Sequence, residues 1–288
     1  MKLSVVLATY NEEENLGRCL DSIKTIADEI IVVDGQSSDK TVDIAKKHKA
    51  KVTITTNKPI FHINKQIGLD KAKGKWVLQL DADEVVSKEL ADEIKETINF
   101  SGEELLQKKL SRKKTKLFKK HQELIEKRDG SFSDKTKSVT AFFIPRSNYF
   151  LGRNMKYTGV YPDGVIRLVK NGKAKFPCKS VHEQIQIDGK VSWLGSDLIH
   201  YDSPTFEKYI KRANRYTSLT ATKLREEKVG INLKNHIYYL FIKPISVFLK
   251  LFIRHKGFLD RFPGFVFSLF SGIHFSLAYM KYWETKKQ

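Results

Sequence analysis

Cysteine is nearly absent. Two residues, Cys19 and Cys178, in a chain of 288 exclude a disulfide scaffold and a four-cysteine zinc site. No G-x-G-x-x-G follows the first strand-like run and no Walker lysine motif occurs, so dinucleotide and P-loop readings lose their support. No internal repeat is evident. The first apolar run, LSVVLAT, is too short for the apolar core of a signal peptide, and no cleavage pattern follows it. A cytoplasmic location is therefore the expectation. Acid is also scarce: 33 Asp and Glu face 52 Lys and Arg, a formal charge of +19. That balance points to a polyanionic partner, whether nucleic acid, an anionic membrane surface or phosphorylated substrates. With 41% hydrophobic and 30% charged residues, a packed core is expected and wholesale disorder is not.

Residues 1–100 alternate strand and helix patterns. The apolar runs Leu3–Thr9, Glu29–Asp34, Val52–Thr55 and Trp76–Leu80 read as four strands, because buried parallel strands are near-continuously hydrophobic. Between them, Glu13–Ile26 places Leu16, Cys19, Leu20 and Ile23 at helical spacing. A second helix follows Ser38 or Asp39, a third covers Phe61–Ala72 with Gly74 as its stop, and Ser87 caps a fourth. Four strand–helix units predict a doubly wound, mainly parallel α/β sheet.

Residues 101–138 are rich in lysine with no clear strand, and read as an inserted, solvated helical hairpin; a nucleic-acid arm is the weaker alternative. From 139 to 235 strand signals return at Ala141–Pro145 and Val165–Val169. Asn171-Gly172 and Asp188-Gly189 each sit between strand-like runs, a hairpin signal, and Pro204–Glu227 reads as a helix. Residues 236–288 hold two stretches rich in Phe, Leu, Ile and Tyr, at Ile237–Ile253 and Phe262–Met280. Pro244 and two lysines break the first, so in-plane amphipathic helices on an anionic membrane surface are expected rather than a span. The alternative is a buried pair or a homodimer contact. Thr205–Lys256 holds twelve Lys or Arg and three acids, which favours anionic lipid.

In an open parallel sheet, ligands bind beyond the carboxyl ends of the strands. Three such ends carry polar clusters here: Thr9-Tyr10-Asn11-Glu12, Asp34-Gly35 and Asp81-Ala82-Asp83-Glu84. Residues two apart in an extended tail point to one side. Asp81 and Asp83 can thus converge on one hard cation, Mn2+ or Mg2+, and leave room for a diphosphate; the bland reading is an acidic turn that caps the next helix. Asp34 suits a base or ribose hydroxyl, or simply the turn before Gly35. Lys65 could approach a phosphate, although spacing alone reads as a surface lysine.

The strings SVVLATYNEEENLGRCLDSI, EIIVVDGQSSDKT and GKWVLQLDADE together resemble the nucleotide-binding half of family 2 inverting glycosyltransferases of the GT-A fold. The second half adds GVYPDGVIRLVKNGKAKF, VHEQI, LIHYD and GFLDRFPGF, which resemble the subgroup related to lipopolysaccharide inner-core β-glucosyltransferases. The resemblance implies that Thr9, Tyr10, Glu12 and Asp34 line a nucleoside pocket. It implies that Asp81 sits near ribose and metal and that Asp83 binds the metal. Lys65 stands where the family has arginine in an Arg-Asn pair, and Gln66 replaces the asparagine.

An inverting transfer needs a carboxylate to deprotonate the acceptor hydroxyl. Glu183 is the candidate base, His182 its rival and Asp163 a third. Arg167 would contact the diphosphate or an anionic acceptor, or else form an ion pair within the sheet. His200 is either an added metal ligand or a core histidine, with the core reading slightly ahead. The expected activity is transfer of a hexose from a nucleotide-diphosphate sugar, with UDP as carrier, to a lipid-linked or envelope glycan, at the inner face of the cell membrane. A nucleotidyltransferase on the same sheet type is the alternative enzyme, but ATYNEEENL lacks its glycine- and lysine-rich loop. A non-catalytic basic membrane- or nucleic-acid-binding protein is the alternative outside enzymes. Nucleic acid is disfavoured, because acids converge where its phosphates would lie.

Overall fold

The computed structural model of the chain describes residues 1–131, 134, 138–179 and 184–287. The chain divides into two compact units, one formed by Met1–Arg146 and Pro162–His200, the other by Ser147–Tyr161 and Tyr201–Gln288.

In chain order the elements are β1 (Leu3–Thr9), α1 (Leu16–Ile23), β2 (Glu29–Asp34), α2 (Thr41–Lys47), β3 (Lys51–Ile54), α3 (His62–Lys71), β4 (Trp76–Leu80), β5 (Glu84–Val86) and α4 (Lys88–Thr97). They continue with α5 (Gly102–Gln107), α6 (Arg112–Asp129), β6 (Val139–Phe150), β7 (Arg153–Asn154), β8 (Asp163–Lys170), β9 (Ala174–Lys175), β10 (Gln186–Ile187), β11 (Lys190–Trp193), β12 (Leu198–Ser203) and α7 (Phe206–Glu226).

Strands β1, β2 and β4 are almost wholly buried, as near-continuous apolar runs covered on both faces should be. Helix α1 turns Leu16, Cys19, Leu20 and Ile23 inward. It starts at Leu16 rather than Glu13, because the N–H groups of Asn15 and Leu16 both donate to the Glu12 carbonyl in a preceding turn. Ser87 caps α4 by accepting from the Leu90 N–H at 3.2 Å. Gly74 allows the backbone close approach after α3: a Cβ there would lie 2.6 Å from the Ser4 nitrogen.

The main sheet runs β3-β2-β1-β4-β8-β6-β12-β5. β3, β2, β1 and β4 are mutually parallel, while β8 runs antiparallel to both β4 and β6. The chain leaves β1 outward to β2 and β3, then returns to the far side of β1 with β4. That reversal is the topological switch point at which α/β sheets open a crevice. The doubly wound, mainly parallel expectation thus describes the first four strands, and antiparallel strands extend the sheet beyond them.

Two expectations are corrected here. Neither Asn-Gly nor Asp-Gly joins a simple hairpin. β8, before Asn171-Gly172, pairs with β4 and β6, whereas β9 after it pairs with β10. β11, after Asp188-Gly189, pairs in parallel with β6. Each turn passes the chain to a different partner strand, which local turn chemistry does not encode. Nor is α6 simply solvated. Phe118 is 1% exposed and stacks on Trp193 at 4.5 Å, His121 Nε2 accepts from the Gly164 N–H at 3.1 Å, and Lys114 Nζ donates to the Gly195 carbonyl at 2.8 Å. One face of the insertion is docked and the other carries the lysines.

In the second unit, β7 pairs with the end of β6 at Tyr149 and Asn154. Thr205 caps α7, and Ala221 and Leu224 pack with Tyr279 and Tyr282. Helices Leu233–Arg254 and Gly257–Lys286 are long and apolar enough, by length and composition, to cross a membrane. Pro244 does not break the first, contrary to expectation. It falls in the first turn after a π-turn at Tyr238–Ile242, where a missing N–H is tolerated. The GFLDRFPGF string also finds a local role. Asp260 is 1% exposed and accepts the N–H groups of Lys156 at 3.2 Å and Tyr157 at 2.8 Å.

Candidate active site

The carboxyl ends of β1, β2 and β4 place Thr9, Asp34 and Asp81 at one edge of the first unit's sheet. Because β8 is antiparallel to β4, with Leu168 opposite Leu78, Arg167 arrives at that edge beside Gln79 and Asp81. Because β6 is antiparallel to β8, with Arg146 opposite Asp163, that pair arrives there too. β12 sets His200 against Glu84. The mixed topology thus delivers cations to an edge where the parallel strands deliver acids.

Asp81 is the hub. Its Oδ1 lies 2.6 Å from Lys65 Nζ and its Oδ2 lies 2.5 Å from Arg167 Nη2. Arg167 also reaches Glu84 Oε1 at 2.7 Å and Gln79 Oε1. Glu84, 0% exposed, accepts the Asp81 N–H at 2.9 Å and meets Arg146 Nη1 at 3.4 Å. Arg146 Nη2 in turn holds Asp163 at 2.7 Å. Burial alone would raise the Asp81 pKa, but the charges of Arg167 and Lys65 win and hold it well below the usual carboxylate range. Burial lowers the Lys65 pKa, partly offset by Asp81. Lys65 is buried, so the surface-lysine reading from spacing is corrected. Gln66 turns away from the cluster and binds Asp70 at 2.6 Å and the Phe176 N–H at 2.8 Å.

Asp83 sits differently. Its side chain is 29% exposed and its Oδ2 lies 3.4 Å from His200 Nε2. Burial opposes ionisation there, and the hydrogen bond and charge of His200 overcome it, lowering the Asp83 pKa. Among the described residues no group of three His, Cys, Asp or Glu surrounds a common point. Small hard cations commonly take one or two carboxylates and complete their shell with substrate phosphates and water. Asp83 supplies one such carboxylate, with the His200 imidazole beside it, whereas both oxygens of Asp81 already face cations.

On the β1–β2 side, Asp34 is fully buried. Its carboxylate accepts from Thr9 Oγ1 at 2.9 Å, the Ser37 N–H at 2.8 Å and Ser37 Oγ at 2.6 Å. These contacts make Asp34 an organiser of the turn through Ser37. Asn11 takes a left-handed φ of 53° and locks the facing turn, its N–H donating to Ser37 Oγ at 2.8 Å. Tyr10 stands 47% exposed at the rim. Glu12 accepts from Asn15 at 2.9 Å, and its pKa is raised by burial, then by Asp83 and Asp81.

Glu183 and His182 lie outside the described residues. Sequence reasoning named Glu84 only as the last acid after the fourth strand, with no role, and missed Arg146, Gln79 and Ser37 as members of the cluster. Glu84 had a signal, its place directly after Asp83. Gln79 had one too, as the polar residue inside WVLQL.

These ion pairs predict an acid limb. A carboxylate whose folded pKa is depressed stabilises the fold above its unfolded pKa of 3.8 and loses that contribution as pH falls through the folded value. Asp81→Asn is therefore expected to melt below wild type at neutral pH, with the gap closing as pH falls below about 4. Melting curves taken from pH 6 downward check it (~6 to ~2). A gap independent of pH would mean that the stabilisation is not ionic.

The sequence family described as glycosyl transferase family 2 matches residues 4–160, more than half of the chain. An uncharacterised glycosyltransferase of Rickettsia prowazekii is 29% identical over 281 residues, covering 93% of this chain and 82% of that protein. The lipopolysaccharide core biosynthesis glycosyltransferase LpsC of Rhizobium meliloti is 24% identical over 287 residues, covering 93% and 89%. Among solved structures, residues 1–349 of S. aureus TarS in complex with UDP are 16% identical with a TM-score of 0.42, covering 98% and 88%. The family match runs from β1 past β7 and takes in the acidic turn after β4, and the chain belongs to glycosyl transferase family 2.

Proposed function

We propose that this glycosyltransferase is an inverting, divalent-metal-dependent enzyme that moves a hexose from a UDP-linked sugar to a lipid-linked or cell-envelope glycan. The observation that carries the reading is the Asp81-Ala82-Asp83 turn at the sheet's switch point, with Lys65 and Arg167 held against it. The similarity to LpsC, a lipopolysaccharide core biosynthesis glycosyltransferase, supports an envelope acceptor. The apolar C-terminal helices support work at the cytoplasmic face of the membrane.

Thr9, Tyr10, Glu12 and the Asp34 turn form the nucleoside wall. Asp83 and His200 hold Mn2+ or Mg2+, and Asp81 keeps Lys65 and Arg167 aimed at the diphosphate side while bordering the ribose. A bound cation would offset the charge that develops on the departing diphosphate. Lys65 and Arg167 add fixed positive charge at a site that needs no reorganisation.

Glu183 accepts the proton of the acceptor hydroxyl as that oxygen attacks the anomeric carbon; His182 and Asp163 are the alternatives. Asp163 is already held by Arg146 at 2.7 Å and would have to leave that partner to reach an acceptor hydroxyl. Glu183→Gln is expected to bind UDP as wild type does and to lose at least about 100-fold in transfer rate. Calorimetry with UDP and manganese, beside a transfer assay across UDP-sugars, separates the two effects. A normal rate in Glu183→Gln would move the base to His182 or Asp163, and absence of UDP binding in wild type would overturn the donor.

A further inference from the structure

The Leu233–Arg254 helix exposes its residues in pairs with a period of four. Leu233, Ile237, Phe241, Ile245, Leu249 and Ile253 form one column, 45–72% exposed. In a regular α-helix of 3.6 residues per turn, a step of four advances about 40° round the axis, so five steps would carry this column through about 200°, to the opposite side. The exposure pattern shows no such drift. Two π-turns, Tyr238–Ile242 and Lys250–Arg254, place more residues in each turn through i→i+5 bonding and rotate the column back.

The other side of the helix is occupied. Ser276 Oγ donates to the Tyr239 carbonyl at 3.2 Å, and Phe248 packs on Phe265 at 5.8 Å. The outer side is one straight apolar face, and none of the helix's apolar window is buried.

We infer that this face docks in the plane of an anionic bilayer, and that the two π-turns are the device that keeps it on one side. The inference deepens the membrane location proposed above and rests on it. Charge selects the occupant. The neighbouring column carries Lys234, Lys250 and Arg254, placed to meet anionic headgroups while the apolar column enters the acyl boundary. The Thr205–Lys256 stretch has twelve cationic residues against three acids.

The unit's packing sets the orientation. Along the C-terminal helix, α7 runs from Phe206 against Phe270 at 5.1 Å to Asn214, whose carbonyl accepts from Lys281 Nζ at 2.7 Å. Helix α7 exposes Lys211, Arg215 and Lys223. A transmembrane placement of the C-terminal helix would draw those charges into hydrocarbon. At its other end, Asp260 ties it to the backbone of Lys156 and Tyr157, so both ends stay with water-exposed elements.

The test is co-sedimentation of the full chain with phosphatidylcholine vesicles, with and without phosphatidylglycerol, read without donor or acceptor so that a failed transfer assay does not bear on it. Wild type is expected to bind the anionic vesicles at least about tenfold tighter. F241S/I245S should lose at least about tenfold of that binding while keeping the wild-type circular dichroism spectrum. Deleting Ile242, which converts the first π-turn towards α-helix and swings the column by about 100°, should give a similar loss. Unchanged binding in F241S/I245S would overturn the proposal. So would a lipid-free dimer that the same substitutions dissolve, since a second copy would then cover the face. Resistance to alkaline carbonate extraction would indicate a span and overturn the in-plane placement.

Discussion

Arg167→Leu is expected to destabilise the first unit by about 3–5 kcal/mol, the range for removing one partner of a buried ion pair. Arg167 is 6% exposed and divides its guanidinium among Gln79, Asp81 and Glu84. Leucine would leave Glu84 fully buried with Arg146 at 3.4 Å, and Asp81 with Lys65 at 2.6 Å and the Gln79 amide at 3.3 Å. The loss comes mainly from stranding two carboxylates, rather than from the worth of the intact pairs. Arg167→Lys should lose less, because the charge survives, but it cannot restore the fork that reaches three acceptors. Urea unfolding followed by circular dichroism reads both. A loss below about 1 kcal/mol in Arg167→Leu would mean that water or rearranged side chains satisfy Asp81 and Glu84. UDP affinity should fall along with stability in the leucine variant, since Arg167 holds the Asp81 turn in place.

The network explains why this site was only half legible in the sequence. The parallel half of the fold announces itself: LSVVLAT, EIIVVD and WVLQL are apolar enough to be buried on both faces, and their ends carry Thr9, Asp34 and Asp81. The antiparallel half does not. That Arg167 faces Asp81 depends on β8 pairing with β4 across a long stretch of intervening chain, and on a register that no local pattern states. Arg146 depends on the next pairing out. Spacing on α3 likewise could not show that Lys65 points under the sheet edge rather than to solvent. The hairpin readings failed for the same reason: Asn171-Gly172 encodes a turn, but the strand that β9 joins lies beyond it. In the C-terminal region the apolar composition was plain, while the continuity through Pro244 was not, because it relies on a π-turn that propensity does not foresee.

Asp83→Ala is expected to remove the metal-dependent part of UDP binding, at least about 100-fold, and to leave the melting temperature near wild type. The contrast with Asp81 carries this prediction. Asp81 is bound on both oxygens by buried cations and stabilises the fold through them; its alanine variant should lose stability and binding together. Asp83 faces His200 at 3.4 Å with its side chain 29% exposed, so its removal strands neither Lys65 nor Arg167 and opens no deep cavity. Its pKa is lowered against the opposing effect of burial, so at neutral pH it is a ready carboxylate ligand. The His200 imidazole beside it, with Nε2 at 3.4 Å, is the nearest nitrogen. Mutating Asp83 thus tests ligation with little folding background, whereas mutating Asp81 mixes the two. Calorimetric titration of UDP with and without manganese, paired with melting curves, reads the difference. Metal-dependent binding that survives in Asp83→Ala would shift ligation to Asp81 and require Lys65 or Arg167 to release it. A fall in melting temperature as large as that of Asp81→Ala would show that the Asp83–His200 pair supports the β5–β12 edge instead.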